Sequence, residues 1–197
     1  MATALMALAA CASRGGSGDF TTQEISLIQS SDSIMRVLTI EDPSDLAILR
    51  APSTDLSCKA LMSDEYASLC QLMVATVTHT SQDGVGIAGP QVGLNRRVVA
   101  VQRFDKEDEP FEVYPNISIV WASDSLPTGP EGCRSVPDRR GDVLRSTEII
   151  IEYADITALS KDCKEIPMVR DTVSGFTAVI FQHETDHLDG VLYIDRL

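Results

Sequence analysis

The sequence predicts an α+β domain in which antiparallel β-sheets pack around a helix at the C-terminal end of the chain. Three observations carry that expectation. An apolar helical stripe lies in the first half, β-branched runs fill the middle, and a second helical stripe runs up to the last ten residues.

Taken in order, Met35 to Ile40 (MRVLTI) is a short apolar run expected to form a strand. Ser63 or Asp64 can cap a helix, in which Met62, Tyr66, Leu69, Cys70, Met73 and Val77 recur at three- and four-residue steps and make one apolar face. His79, near its end, is expected over the last carbonyls, where a partial positive charge is favourable. Asp83-Gly84-Val85-Gly86 then breaks the helix. Arg97 to Val101, Phe111 to Tyr114, Ile117 to Trp121 and Glu148 to Tyr153 read as strands, the last being the strongest such signal. Ser174 or Gly175 begins the closing helix. Phe176, Val179, Ile180, His183, His187 and Leu188 share one of its faces, and Asp189-Gly190 ends it.

The chain has 197 residues, enough for one domain with a real core and no need of disulfide staples. A net charge of −13 argues against a nucleic-acid groove, which needs clustered Lys and Arg, and against docking on anionic lipid. Five cysteines with no CxxC pair argue against a disulfide framework, so Cys58, Cys70 and Cys163 read as small hydrophobes. Residues 1–18 read as a leader or tether and 19–197 as one domain. Leu8-Ala9-Ala10-Cys11 looks like a lipoprotein cleavage box, although no Lys or Arg precedes the short apolar run. The expected location is the cell envelope if that box is processed and the cytoplasm otherwise. No stretch is a transmembrane candidate.

The chemistry concentrates in Gln182-His183-Glu184-Thr185-Asp186-His187. Two histidines four residues apart project from one helix face and can reach one metal ion. A glutamate beside the first can take a proton from a water that the metal has acidified. Both imidazoles lie on the apolar stripe, where they would be costly to bury unpaired. Only ten residues follow His187, with no His or Glu among them, so a third ligand must come from upstream. Cys133, in Pro130-Glu131-Gly132-Cys133-Arg134-Ser135, is the candidate, against the alternative of a plain buried cysteine.

Three motifs together resemble the peptide deformylase family. Gly84-Val85-Gly86-Ile87-Ala88-Gly89-Pro90-Gln91 resembles its first motif, Glu131-Gly132-Cys133-Arg134-Ser135 its second, and Gln182 to His187 its third, in the same order. The resemblance runs from about Met35 to Leu197. It implies that Cys133, His183 and His187 bind one divalent metal ion, Fe(II) first, with Zn, Ni or Co as substitutes. Glu184 is then the general base and acid for a hydroxide formed on that ion. The Gln91 side-chain amide and the Arg134 backbone N–H form an oxyanion hole. Asp186 orients a metal ligand from behind, with Arg145, in the strand after the second motif, as its ion-pair partner. Gly86 pairs with the extended substrate. Val85, Ile87, Phe176, Val179 and Ile180 line the methionine pocket, and Glu131 joins the substrate-binding set. The implied substrate is an N-formylated peptide, released as formate and a free amine.

Two residues depart from the family pattern. Arg134 stands where leucine is usual and can attract a substrate carboxylate or pair with nearby acids. Gly89 replaces the second alanine and is expected to loosen its loop. No basic C-terminal helix follows, which argues against ribosome docking. The alternatives are an HExxH-type zinc endopeptidase, indifferent to a formyl cap, and a weakly active protein that only binds formyl peptides.

Overall fold

In the computed structural model, which describes residues 18–197, the strands form two three-stranded antiparallel sheets and a separate hairpin. Val98–Gln102 (β2) is the centre of the first sheet. Its Val98, Val99, Ala100 and Val101 are wholly buried, as a β-branched run with no polar alternation requires. It pairs with Gly86–Ala88 (β1) on one side and Phe111–Pro115 (β3) on the other. In the second sheet Glu148–Ala154 (β7) lies between Ser118–Ala122 (β4) and Met168–Ser174 (β8). Thr128–Cys133 (β5) and Val136–Leu144 (β6) form the hairpin.

Four helices precede the strands: Thr22–Gln29 (α1), Pro43–Leu49 (α2), Cys58–Leu61 (α3) and Asp64–Thr78 (α4). Ser63 caps α4 by accepting from the Tyr66 N–H at 3.2 Å. The closing helix, Gly175–Leu188 (α5), follows β8 without a loop. It packs on β1 and β2, burying Ala178, Ile180, Phe181 and Leu188 between the two sheets. A second core lies under α1 and α4, around Leu69, Met73 and Leu94. The expected α+β class, with antiparallel sheets around a C-terminal helix, is what the chain forms.

Several local expectations are corrected. Met35 to Ile40 forms no strand and joins no sheet; the Leu38 N–H donates to Gln91 O and the Ile40 N–H to Ser135 O. His79 does not sit over helix carbonyls. It lies in extended backbone, with Nδ1 2.8 Å from Ser81 Oγ. Cys58 and Cys163 are joined in a disulfide across a separation of 105 residues, which an odd cysteine count had argued against. Gly89 sits where the loop is packed too closely for the usual alanine. It is buried, and a methyl group there would lie 2.7 Å from Arg96 O and 2.8 Å from Leu94 O. Arg145 falls just beyond the end of β6. The Leu8–Cys11 box lies outside the described residues, whereas the Gly18 carbonyl already accepts from the Ser57 N–H. Among the described residues no helix is long and apolar enough to cross a membrane.

Candidate metal centre

Residues from α5, the β5–β6 hairpin and the β1 loop meet in one cleft of about 940 Å³. The α5 period brings His183 and His187 to one face, with ring centroids 5.1 Å apart. Cys133, the last residue of β5, faces them: its Sγ lies 3.3 Å from His187 Nε2. One ligand atom each from Cys133, His183 and His187 lie within 4.8 Å of one another. The third ligand that the last helix could not supply is thus brought in from the hairpin.

The donor set fits a divalent ion. His183 Nδ1 donates to Glu131 Oε2 at 2.8 Å, which leaves Nε2 as its free ligand atom. Burial opposes a thiolate at Cys133, but His187 and His183 hold its pKa well below the ordinary thiol value. Burial also opposes a charge on His183, yet hydrogen bonds with Cys133 and Glu131 push it up to about 10. A place that draws a proton so strongly offers the same negative field to a metal cation. Two sulfur-and-nitrogen ligand types and a cleft on the open side suit an ion with one position left for water or substrate.

Glu184 is buried on the cleft side, and its Oε2 has no hydrogen-bond partner among the described residues. Burial pushes its carboxyl up to about 7, where it can both take and give a proton near neutral pH. Gly86 lies against it. A Cβ on Gly86 would fall 2.6 Å from Glu184 Oε1, so only glycine lets β1 come this close. β1 is an edge strand, paired with β2 alone, and its outer backbone edge borders the cleft. The Gln91 amide is turned inward: Oε1 accepts from the Ala88 N–H at 2.8 Å, while Nε2 lies 3.4 Å from Cys133 Sγ and 3.3 Å from Ser135 Oγ.

Val85, Ile87, Phe176, Val179 and Ile180 also line the cleft, as do Glu131 and Arg134. His187, Asp186 and Arg145 lie behind its wall. Arg145 binds both Glu131 oxygens, at 2.7 and 3.0 Å, and Asp186 Oδ2 at 2.6 Å. Asp186 reaches the histidines only through this chain. The residue that touches His183 is Glu131, which the sequence reading counted as substrate-binding. With His183 and Arg145 beside it, and against the effect of burial, Glu131 is held down to about 2. Among the described residues Arg134 pairs with no acid; its Nε donates to Gln82 O at 2.6 Å. Two partners went unread in the sequence. Arg196 clasps Asp186 with Nε and Nη2, and Tyr193 stacks on His183 with centroids 6.0 Å apart. Neither sits in a motif or periodic stripe that could have marked it.

A family profile described as polypeptide deformylase matches residues 34–197. A peptide deformylase of Leptospira biflexa is 33% identical over 172 residues, covering 83% of this chain and 88% of that protein. Peptide deformylase 2 of Vibrio cholerae is 36% identical over 154 residues, covering 77% and 86%. Among solved structures, an Acinetobacter baumannii class I type b peptide deformylase with bound Met-Ala-Ser superposes with a TM-score of 0.69 at 32% identity, covering 83% of this chain and 98% of that one. The same protein bound to actinonin gives 0.70 at 31%, covering 84% and 99%.

Proposed function

This chain belongs to the polypeptide deformylase family of enzymes, and from that premise we propose that it hydrolyses the formyl amide of formyl-methionyl peptides, releasing formate and a free α-amine. The observation that carries the reading is one cleft holding a Cys133–His183–His187 ligand set beside the unpartnered Glu184 carboxylate. In this reading Cys133 Sγ, His183 Nε2 and His187 Nε2 hold one divalent ion, Fe(II) in the first instance, with Zn, Ni or Co as replacements. When bound, the ion supplies Lewis acidity to the formyl oxygen and to the attacking water.

The residues do the rest. Glu184 takes a proton from the water and delivers it to the leaving nitrogen, a double duty suited to a carboxyl poised near 7. The Gln91 Nε2 and the Arg134 backbone N–H donate to the developing oxyanion. The peptide adds as a strand along the outer edge of β1 at Gly86. Val85, Ile87, Phe176, Val179 and Ile180 take the methionine side chain. Glu131, fixed by Arg145, holds the His183 ring by its Nδ1–H. Asp186 holds Arg145 in turn and is itself clasped by Arg196.

The test is formate release under anaerobic conditions from formyl-Met-Ala-Ser by protein loaded with Fe(II), Zn or Ni. Acetyl-Met-Ala-Ser and a blocked peptide with internal bonds only serve as comparisons. Selective turnover of the formyl peptide is expected. Cleavage of internal bonds with no formate would instead make the protein an endopeptidase.

A further inference from the structure

Every described arginine outside the cleft makes an ion pair with a carboxylate. Three arginines make none among the described residues: Arg134, Arg139 and Arg140. All three are exposed, and all three line the cleft. In a chain with net charge −13, where acids outnumber bases 29 to 16, these are the described arginines left without a carboxylate, and they fall together on one cleft. The three belong to the β5–β6 hairpin and share the cleft lining with the apolar residues of β1 and α5. Arg140 lies along Gly132, its Nε 3.9 Å from where a Cβ would stand on the residue next to Cys133. Arg134 is tied by Nε to Gln82 O, and among the described residues no hydrogen bond takes its two terminal nitrogens. Three carboxylates of the lining, Asp83, Asp138 and Glu184, pair with none of the three. Glu131 is already taken by Arg145 and His183.

Resting on the deformylase reading, we propose that Arg134, Arg139 and Arg140 are a carboxylate-binding wall that selects formyl-methionyl peptides carrying a carboxylate within their first three residues. An extended tripeptide spans only about 10 Å. With its formyl end at Cys133 and its methionine in the apolar wall, its third residue still lies in the cleft. A planar guanidinium binds a carboxylate through two parallel donors, which suits this role better than lysine. The carboxylate has two sources, the C-terminus of a short released peptide or an Asp or Glu side chain.

The test compares kcat and KM for formyl-Met-Ala-Ser, its C-terminal amide and formyl-Met-Ala-Asp amide, with the native enzyme and the Arg139→Gln/Arg140→Gln double variant. At low salt a carboxylate-bearing peptide should exceed the neutral amide by about fivefold in kcat/KM, mostly through KM, and the advantage should shrink in about 1 M salt. Preference for the free acid alone assigns the wall to peptide C-termini, and preference for the aspartyl amide alone assigns it to acidic side chains. Either supports the proposal, provided that the double variant brings the ratio towards one. Equal turnover of all three peptides by native enzyme, or a preference unchanged in the variant, overturns it while leaving deformylation intact. Absence of formate from every peptide defeats the deformylase reading itself and this proposal with it.

Discussion

Two buried arginines organise two polar knots, and the knots differ in one respect. Arg103 binds Asp105 through two nitrogens, at 2.8 and 2.7 Å, and reaches Tyr114 Oη at 2.5 Å and Asp171 at 3.0 Å. Arg145 binds Glu131 in the same forked way and adds Asp186. Both are almost wholly buried and both have carboxylate partners on every side. The Arg103 knot is closed: it joins the two sheets and ends on half-exposed carboxylates. The Arg145 knot passes through Glu131 to His183, and beside it Glu184 Oε2 and His187 Nδ1 lie buried with no partner among the described residues. Buried ion pairs therefore do not mark a functional site. What sets the second knot apart is an unpartnered carboxylate oxygen beside it at the cleft, since leaving a buried carboxylate unpaired costs more than leaving the lone hydroxyls of Ser53 or Tyr66 so.

The sharpest way to break this contrast is Glu184→Ala. The substitution removes the unpartnered carboxylate but none of the three ligands. A drop of about a thousandfold in kcat is expected, with metal content unchanged by elemental analysis. Activity surviving within tenfold would mean that the orphaned oxygen is a packing accident.

Next come matched substitutions of the two arginines. Arg103→Met and Arg145→Met each strand buried carboxylates and should cost about 3–5 kcal/mol in urea unfolding. They should separate in a chelator competition. Arg145→Met frees Glu131 from its clamp and should weaken metal binding by about 10–100-fold. Arg103→Met should leave metal affinity and the kcat/KM of the folded fraction unchanged. Equal loss of metal in both variants would erase the distinction between the knots.

The disulfide sharpens the comparison from outside both knots. Cys58 belongs to α3 and Cys163 to the irregular connection between β7 and β8. A bridge closing so long a loop typically contributes about 2–4 kcal/mol. Replacing both cysteines by serine should lower Tm by roughly 5–15 °C. Metal affinity should not move, since neither residue touches the cleft.

The site was more legible than the fold around it. HExxH needs only helical periodicity, and Gly86, Gln91 and Cys133 stand in short motifs whose spacing survives in the sequence. The roles of Glu131 and Asp186 were less legible, because which of two carboxylates reaches His183 depends on hairpin register. α4, β2 and β7 announced themselves through long apolar periods. α1 and α2 are too short to show one, although the Thr21–Glu24 capping box and Asp42-Pro43 were there to be read. β5 and β6 stayed hidden because the hairpin faces water and the cleft, so its sequence, rich in Gly, Arg and Asp, lacks the apolar alternation of a strand against a core. The Cys58–Cys163 pairing joins residues far apart in the chain and left no local trace.

The smallest effect tests whether a third arginine sides with the closed knot. Arg96 holds Glu24 through Nε and Nη2, at 2.6 and 2.8 Å, pinning α1 to the strand region. Burial alone would raise the Glu24 carboxyl, but the hydrogen bonds from Arg96 and Thr21 outweigh it and hold the group below its ordinary value of 4.5. A depressed carboxyl pKa stabilises the fold where the carboxylate is ionised in both states, so the gain is complete above about pH 4.5. It fades as pH falls through the lower folded value, because the folded state must then take up a proton against its partners. Glu24 is partly open to solvent, which limits the contribution to about 1 kcal/mol. Glu24→Gln should therefore lower the urea midpoint at pH 7, and the gap from the native protein should narrow on going to pH 3. Turnover of formyl-Met-Ala-Ser at pH 7 should be untouched, as it would be for any pair that is closed on itself. A gap that stayed constant with pH would show that the Glu24 contact acts through packing and not through charge.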